Sequence, residues 1–337
     1  MEDIRIGQKI IGSARPAFVV AEAGLNHNGS VEIGKELIRR AVDVGADAVK
    51  FQSYHTEDFV SKRSTYYGLF KSLELSEADF VQLKNFADEC KMIFLSTPLD
   101  LSYVEALDRM GVPAFKVASG DITFTPLLEA VAKTGRPVIL STGAATIGEI
   151  YEAMSVLREN GCHDIVLLHC LSSYPAPLDE INLKVIPAVR DIFDVPTGYS
   201  DHSSGIVVPV AAVALGASLI EKHFTLDRTM NGPDHALSAE PDEFKRMIEA
   251  VRTVEKSLGD GSKRPMRSEQ KVRLEGRRSI VSKSLIKRGD RLDESKISYK
   301  RPASGIQPSL ARMILNKKIR TGKNEDDAIT WNDFLEE

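Results

Sequence analysis

The chain has 337 residues, 42% hydrophobic and 27% charged, the make-up of an ordinary globular protein with room for one large domain and a small one. A net charge of −4 argues against bulk nucleic-acid binding, and no apolar run reaches the roughly 18 residues of a membrane span. Three cysteines (Cys90, Cys162, Cys170) are too few and too scattered for a disulfide framework, and the polar start MEDIRIGQKI lacks a signal-peptide core, so a reducing cytoplasm is the expected compartment.

In chain order, short β-branched apolar runs recur with helical patterns between them. The predicted strands are AFVVAEAG (17–24), DAVKFQS (47–53), MIFLSTP (92–98), AFKVASGD (114–121), PVILSTG (137–143), DIVLLHC (164–170), PTGYSDH (196–202) and SLIEKHF (218–224). Most lack a polar alternation, as parallel strands covered on both faces should. The predicted helices are VEIGKELIRRAVDVGA, SEADFVQLKNFADECK, LSYVEALDRMG, LLEAVAKTG, IGEIYEAMSVLRENG and EFKRMIEAVRTVEKSLG, several of them stopping on glycine. Eight strands alternating with helices over about 250 residues predict an α/β fold of the (β/α)8 TIM-barrel type for residues 1–258. A doubly wound open sheet is the alternative, but no G-x-G-x-x-G turn follows the first strand. A polar, basic linker is expected over 259–276. A compact β-rich module with turns at Lys-Arg-Gly-Asp and Lys-Arg-Pro is expected over 277–337, where 14 Lys+Arg face 9 Asp+Glu.

Polar residues gather at the C-terminal ends of these strands: Glu22; Lys50 and Gln52; Ser96 and Thr97; Lys116, Ser119 and Asp121; Ser141 and Thr142; His169; Ser200, Asp201 and His202; Glu221, Lys222 and His223. In a barrel these ends form one face. Two strand lysines, Lys50 and Lys116, need anionic partners. A bound phosphate among the hydroxyls would serve, and so would internal pairing with Glu22 or Glu221. His202 and His223, ending neighbouring strands, suit a borderline divalent metal with open positions; acid–base use or plain packing are the other readings. Cys170 reads as a buried thiol rather than a nucleophile.

The ordered motifs EAGLNHNG, AVKFQ, FLSTP, KVASGD, ILSTGAAT, HCLSSYPAP, GYSDHSSG, EKHFT and GPDHALS resemble the sialic acid synthase (N-acetylneuraminate synthase) family along the whole barrel. That family includes legionaminic and pseudaminic acid synthases and spore-coat polysaccharide relatives. RRSIV and KRP resemble the family's antifreeze-like (SAF) domain. The resemblance implies condensation of phosphoenolpyruvate with an N-acetylated amino sugar, with release of phosphate. It implies a divalent ion, Mn2+ before Mg2+ or Co2+, on His202 and His223. Phosphoenolpyruvate contacts would fall on Lys50, Thr97, Lys116, Ser119, Ser141, Ser172 and Ser200. Glu22, Tyr174 and Asp234 would lie near the sugar or the reacting centre, and Gln52 and Asp121 near the sugar. Arg301 would reach the sugar from the partner in a domain-swapped homodimer. Two positions depart from the family pattern: Asp121 stands where Glu is usual and Ser172 where Asn is common. The resemblance with these departures implies N-acetylmannosamine or a di-acetamido 6-deoxy sugar as the acceptor. A Schiff-base barrel aldolase and a non-catalytic sugar-binding protein are the rival readings.

Overall fold

The computed structural model describes residues 3–334, which fall into two compact units divided at Gly259/Asp260. In the first unit all eight predicted strands form: β1 (Phe18–Gly24), β2 (Ala48–Ser53), β3 (Ile93–Pro98), β4 (Phe115–Val117), β5 (Val138–Ser141), β6 (Ile165–Cys170), β7 (Thr197–Asp201) and β8 (Leu219–His223). They make one parallel sheet in the order β3-β2-β1-β8-β7-β6-β5-β4. The end strands β3 and β4 lie against each other, so the sheet is nearly closed, consistent with a (β/α)8 barrel.

Residues alternate across the barrel wall. Phe18, Val20, Ala48, Leu95, Ile139 and Leu168 fill the interior. Val19, Val49, Phe94, Leu140 and Leu167 point outward into the layer beneath the helices. Both sets are apolar, which is why the strands show no hydropathic alternation in sequence. The interior is also closed from the strands' N-terminal end. Ile4, Ile6 and Ile11, from an antiparallel hairpin of Ile4–Ile6 and Lys9–Ile11, join the interior cluster. This hairpin is an addition to the predicted elements. Its two-residue turn places Gly7 at φ 58°, a conformation glycine adopts without strain.

The six predicted helices are present, among them Val31–Asp43, Glu77–Glu89 and Ile147–Glu159. The second of these starts on a Ser76/Asp79 capping box and the third on a Thr146/Glu149 box. Two further barrel helices, Val185–Phe193 and Val207–Ala214, escape the sequence pattern because each contains a proline. Pro187 and Pro209 occupy the third helical position, where the amide has no intrahelical acceptor, so proline costs no hydrogen bond there.

The second unit has its own core of Ile280, Ile286, Leu292, Ile297, Ile314 and Ile319 around an antiparallel pair, Ser279–Ser282 with Ile297–Lys300. The stretch expected to be a linker contains a 3-10 turn at Arg267–Glu269 and a short helix at Gln270–Gly276, and residues 260–276 pack with this unit.

Candidate active site

Strand alternation sorts the polar strand ends into two groups. Glu22, Lys50, Gln52, Thr97, Lys116, Ser141, Cys170, Ser200, His202, Glu221 and His223 line one cavity of about 530 Å3. The loops following β4 and β6 add Ser119, Asp121, Ser172 and Tyr174 to it. The remaining strand ends make other contacts. Ser96 donates to the Phe51 carbonyl, His169 Nε2 lies 2.7 Å from the Ile181 carbonyl, and Lys222 pairs with Asp201 at 2.5 Å. Lys222 also donates to the Ser203 carbonyl at 2.7 Å, so this buried lysine is satisfied away from the cavity. Thirteen of the proposed site residues line the cavity. Asp234 lies beside it, its Oδ2 4.0 Å from His223 Nδ1. Arg301 belongs to the second unit.

The cavity floor is a buried charge network. Lys50 Nζ stands 3.0 Å from Glu22 Oε2 and 3.0 Å from Glu221 Oε2, and donates to Thr97 Oγ1 at 3.3 Å. Internal pairing, one of the two readings open from sequence, thus holds for Lys50. Burial opposes the Lys50 charge, but the two carboxylates more than offset it and hold its pKa above the ordinary lysine value. Lys116 is placed differently. It donates to the Val117 carbonyl at 3.1 Å, and Glu221 comes only to 3.9 Å. Burial therefore prevails and lowers its pKa. Glu221 has the opposite balance: burial would raise its pKa, but Lys116, Lys50 and a hydrogen bond from Ser200 at 3.0 Å bring it down to about 2. Burial raises the Glu22 pKa despite Lys50, which suits a carboxyl that can hold a proton.

The two imidazoles are neighbours, with ring centroids 5.6 Å apart, and Tyr174 lies 4.2 Å from the His202 ring. Burial and the adjacent His223 push the His202 pKa down to about 3. Its Nδ1 lies 2.7 Å from the Leu171 carbonyl, so the Nδ1 proton is held there and Nε2 keeps a lone pair. A metal-binding histidine is commonly oriented in this way. His223 Nδ1 is buried without a hydrogen-bond partner. Two such nitrogens fit a borderline divalent ion whose remaining positions are left to water and substrate oxygens. Among the described residues no group of three or more His, Cys, Asp and Glu is spaced to hold a metal, so the protein's share would be these two rings.

Three features of the site carry little or no signal in the sequence. Glu221 is the hub of the floor, touching both lysines and Ser200. Its position at the end of β8 is visible in the strand pattern, but its inward face is not. Phe59, Phe70 and Leu99 form an apolar stretch of the lining, and none of them falls within a predicted strand. Gly143 provides close packing, since a Cβ there would collide with Ser172 Oγ and lie 2.9 Å from Cys170 Sγ and Ser119 Oγ.

The model of the NeuB family matches residues 37–263. An uncharacterized protein of Methanocaldococcus jannaschii is 60% identical over 335 residues, covering 99% of each chain. The N,N'-diacetyllegionaminic acid synthase of Campylobacter jejuni is 43% identical, over 94% of this chain and 99% of its own. The crystal structure of N-acetylneuraminic acid (sialic acid) synthetase from Leptospira borgpetersenii, in complex with citrate, superposes with a TM-score of 0.77 at 40% identity, over 80% of this chain and 94% of that one. No helix among the described residues is long and apolar enough to cross a membrane. With a barrel in which one and the same cavity gathers lysines, hydroxyls and paired imidazoles, and with relatives that match along nearly its full length, this chain belongs to the NeuB family and is an enzyme of the sialic acid synthase type.

Proposed function

We propose that this enzyme condenses phosphoenolpyruvate with an N-acetylated amino sugar to give a nine-carbon 2-keto acid of the sialic type and inorganic phosphate. The observation that carries this reading is the single cavity in which Lys50 and Lys116 lie under a ring of hydroxyls while His202 and His223 line the same space. Lys116, whose charge is the less offset of the two, is the natural partner for a phosphate or carboxylate, and Lys50 is held charged beside it. Thr97, Ser119, Ser141, Ser172 and Ser200 supply donors for the remaining oxygens. Gln52, Asp121, Tyr174 and Asp234 are the polar groups for the sugar.

In the reaction the phosphoenolpyruvate methylene carbon bonds to the aldehyde carbon of the open-chain sugar, and the aldehyde oxygen takes a proton. Water adds at the cationic carbon left behind and gives up a proton; the tetrahedral intermediate then expels phosphate by carbon–oxygen cleavage as its new hydroxyl loses a second proton and becomes the ketone. Glu22, with its raised pKa, can hold the proton that the aldehyde oxygen receives. When bound, Mn2+ (or Mg2+ or Co2+) on His202 and His223 supplies Lewis acidity toward the carbonyl oxygen. The chain's own residues hold two reactants at fixed separation in one cavity, which is where most of the rate advantage of such a site originates. The reading extends to an antifreeze-like second unit, a homodimer that exchanges it so that the partner brings Arg301 to the sugar, and a cytoplasmic location.

The test is a phosphate-release assay with phosphoenolpyruvate, Mn2+ and a panel of amino sugars, with the product weighed by mass spectrometry. Phosphate should appear only when all three components are present. Release without sugar, or none with any sugar, refutes the reading. The lowered Lys116 pKa also suits an amine nucleophile, so a Schiff-base aldolase is the second reading. Borohydride trapping of pyruvate on Lys116 would select it.

A further inference from the structure

The two imidazoles of the cavity are held by unequal means. His223 lies within the sheet: β8 stays paired with β1 up to His223↔Glu22, and the Ala239 amide donates to the His223 carbonyl at 2.8 Å. His202 lies beyond the sheet. The last pair of β7 with β6 is Ser200↔Cys170 and the last with β8 is Asp201↔Lys222, so no ladder fixes the residue that follows. Two contacts reach His202 directly, both from the loop after β6. Its carbonyl accepts from Ala176 N at 3.0 Å, and its Nδ1 lies 2.7 Å from the Leu171 carbonyl.

The residues immediately before the two histidines are Asp201 and Lys222, and these form an ion pair at 2.5 Å with side chains 0% and 2% exposed. Strand alternation turns both away from the cavity. The two carboxylate oxygens of Asp201 divide the work. Oδ2 accepts from Lys222, while Oδ1 accepts from Ser203 N at 3.0 Å and from Ser203 Oγ at 2.7 Å. Lys222 closes the ring by donating to the Ser203 carbonyl at 2.7 Å. Both backbone polar groups of the residue after His202 are thus bound by the residues that precede the two histidines.

An ion pair buried this completely adds little net stability, because desolvation offsets most of its attraction. Leucine and methionine could fill the same volume, but hydrocarbon cannot bond the Ser203 amide and carbonyl. The pair therefore supplies something that packing does not, a fixed path for residues 201–203 where the chain leaves the sheet. His202 is the middle residue of that path, and its ring stands 5.6 Å from the His223 ring.

We infer that Asp201 and Lys222 are a positioning pair that sets the spacing and aim of His202 against His223, and so tunes the affinity of the site for a divalent ion without touching the ion. This inference rests on the reading of the two imidazoles as metal ligands. Outer contacts of this kind typically govern roughly ten- to a hundredfold in metal affinity. The pair carries no net charge, so its removal leaves the field at Lys50 and Lys116, on β2 and β4, nearly unchanged.

The experiment compares the wild type with an apolar double variant, Asp201→Leu/Lys222→Met, and a neutral hydrogen-bonding one, Asp201→Asn/Lys222→Gln. Paramagnetic resonance of free Mn2+ gives the affinity, and nitrogen couplings to the bound ion count its imidazoles. Calorimetry gives phosphoenolpyruvate binding without metal. The apolar variant should bind Mn2+ roughly ten- to a hundredfold more weakly and show one imidazole in place of two. Its phosphoenolpyruvate affinity should stay within about threefold of wild type, and the hydrogen-bonding variant should recover most of the Mn2+ affinity. If the apolar variant does not fold, Asp201→Asn/Lys222→Met keeps an acceptor for Ser203 N, drops the donor to its carbonyl, and should still weaken Mn2+ at least about threefold. Wild-type Mn2+ affinity with two imidazoles in the apolar variant or its substitute overturns the inference. So does an equal loss of Mn2+ and phosphoenolpyruvate affinity, the mark of a merely structural pair. A wild type whose bound Mn2+ shows no imidazole nitrogen removes the metal reading and the inference with it.

Discussion

Lys116 and Glu221 face each other across the barrel floor at 3.9 Å, too far for a direct hydrogen bond, while Glu221 spends its closer contacts on Lys50 and Ser200. A buried ammonium is thus left with an incomplete partner set, aimed into a cavity. In a folded protein that is a costly arrangement unless a ligand completes it.

The first expectation follows from this asymmetry. Lys116→Met should weaken phosphoenolpyruvate binding roughly ten- to a hundredfold, the loss of one charge-assisted contact. It should not lower the unfolding free energy of the free protein, because burial already works against that charge. Glu221→Gln should behave in the opposite way. It leaves two buried lysines with Glu22 alone and should cost roughly 3–5 kcal/mol of stability. Calorimetric titration and urea unfolding of the two variants check both statements, and a large loss of stability in Lys116→Met would contradict the first.

Asp121 gives a pH signature. Burial, opposed by Lys116, raises its pKa from the ordinary 3.8 to about 6. The folded state therefore binds this proton more tightly than the unfolded state. The destabilisation from its ionisation sets in as pH rises above about 4 and is complete above about 6. Asp121→Asn should be more stable than wild type at pH 7.5, with the advantage vanishing below pH ~4. The kcat/KM for the acceptor should lose an inflection near pH 6. Identical pH profiles for the two proteins would remove Asp121 from sugar binding.

Metal titration would separate the inward from the outward histidines. His202→Ala should reduce Mn2+ affinity by more than the ~10–100-fold typical of an outer hydrogen-bond partner. His169→Ala, whose ring points away to the Ile181 carbonyl, should leave it unchanged. Electron paramagnetic resonance of free Mn2+ reads both without any turnover. Equal affinities in the two variants would dissociate the ion from this pair.

Gly198 tests the packing of the barrel. A Cβ at this position on β7 would overlap the Leu219 carbonyl oxygen and lie 2.7 Å from Leu168 Cδ2. Gly198→Ala should destabilise by about 1–3 kcal/mol through overpacking, measured by urea unfolding. A neutral effect would mean that β7 and β8 can separate locally.

All eight strands are legible in the sequence, because a run such as DIVLLHC is short, β-branched and bounded by turn residues whatever surrounds it. The clustering of polar residues at the strands' C-terminal ends is equally visible, so the chain's local pattern alone marks which end of the barrel carries a site. The proline-bearing helices at 185–193 and 207–214 are not legible in this way, since the cost of proline depends on where the helix begins, and that is settled by packing.

Which strand-end residues face the cavity is likewise beyond the sequence. Lys50 and Lys222 look alike in AVKFQ and IEKHF, yet one lies on the cavity floor and the other pairs with Asp201 in the outer layer. Both faces of a parallel barrel strand are apolar, so hydropathy carries no mark of inside or outside. Only closure of the barrel assigns the faces. It makes Glu221 the hub of a charge network, sets the two imidazoles side by side, and brings Phe59, Phe70 and Leu99 up to the same cavity. Local pattern determined the strands and the end of the barrel that carries chemistry. The charge balance and the shape of the site exist only once residues far apart in the chain share one enclosed, poorly solvated space.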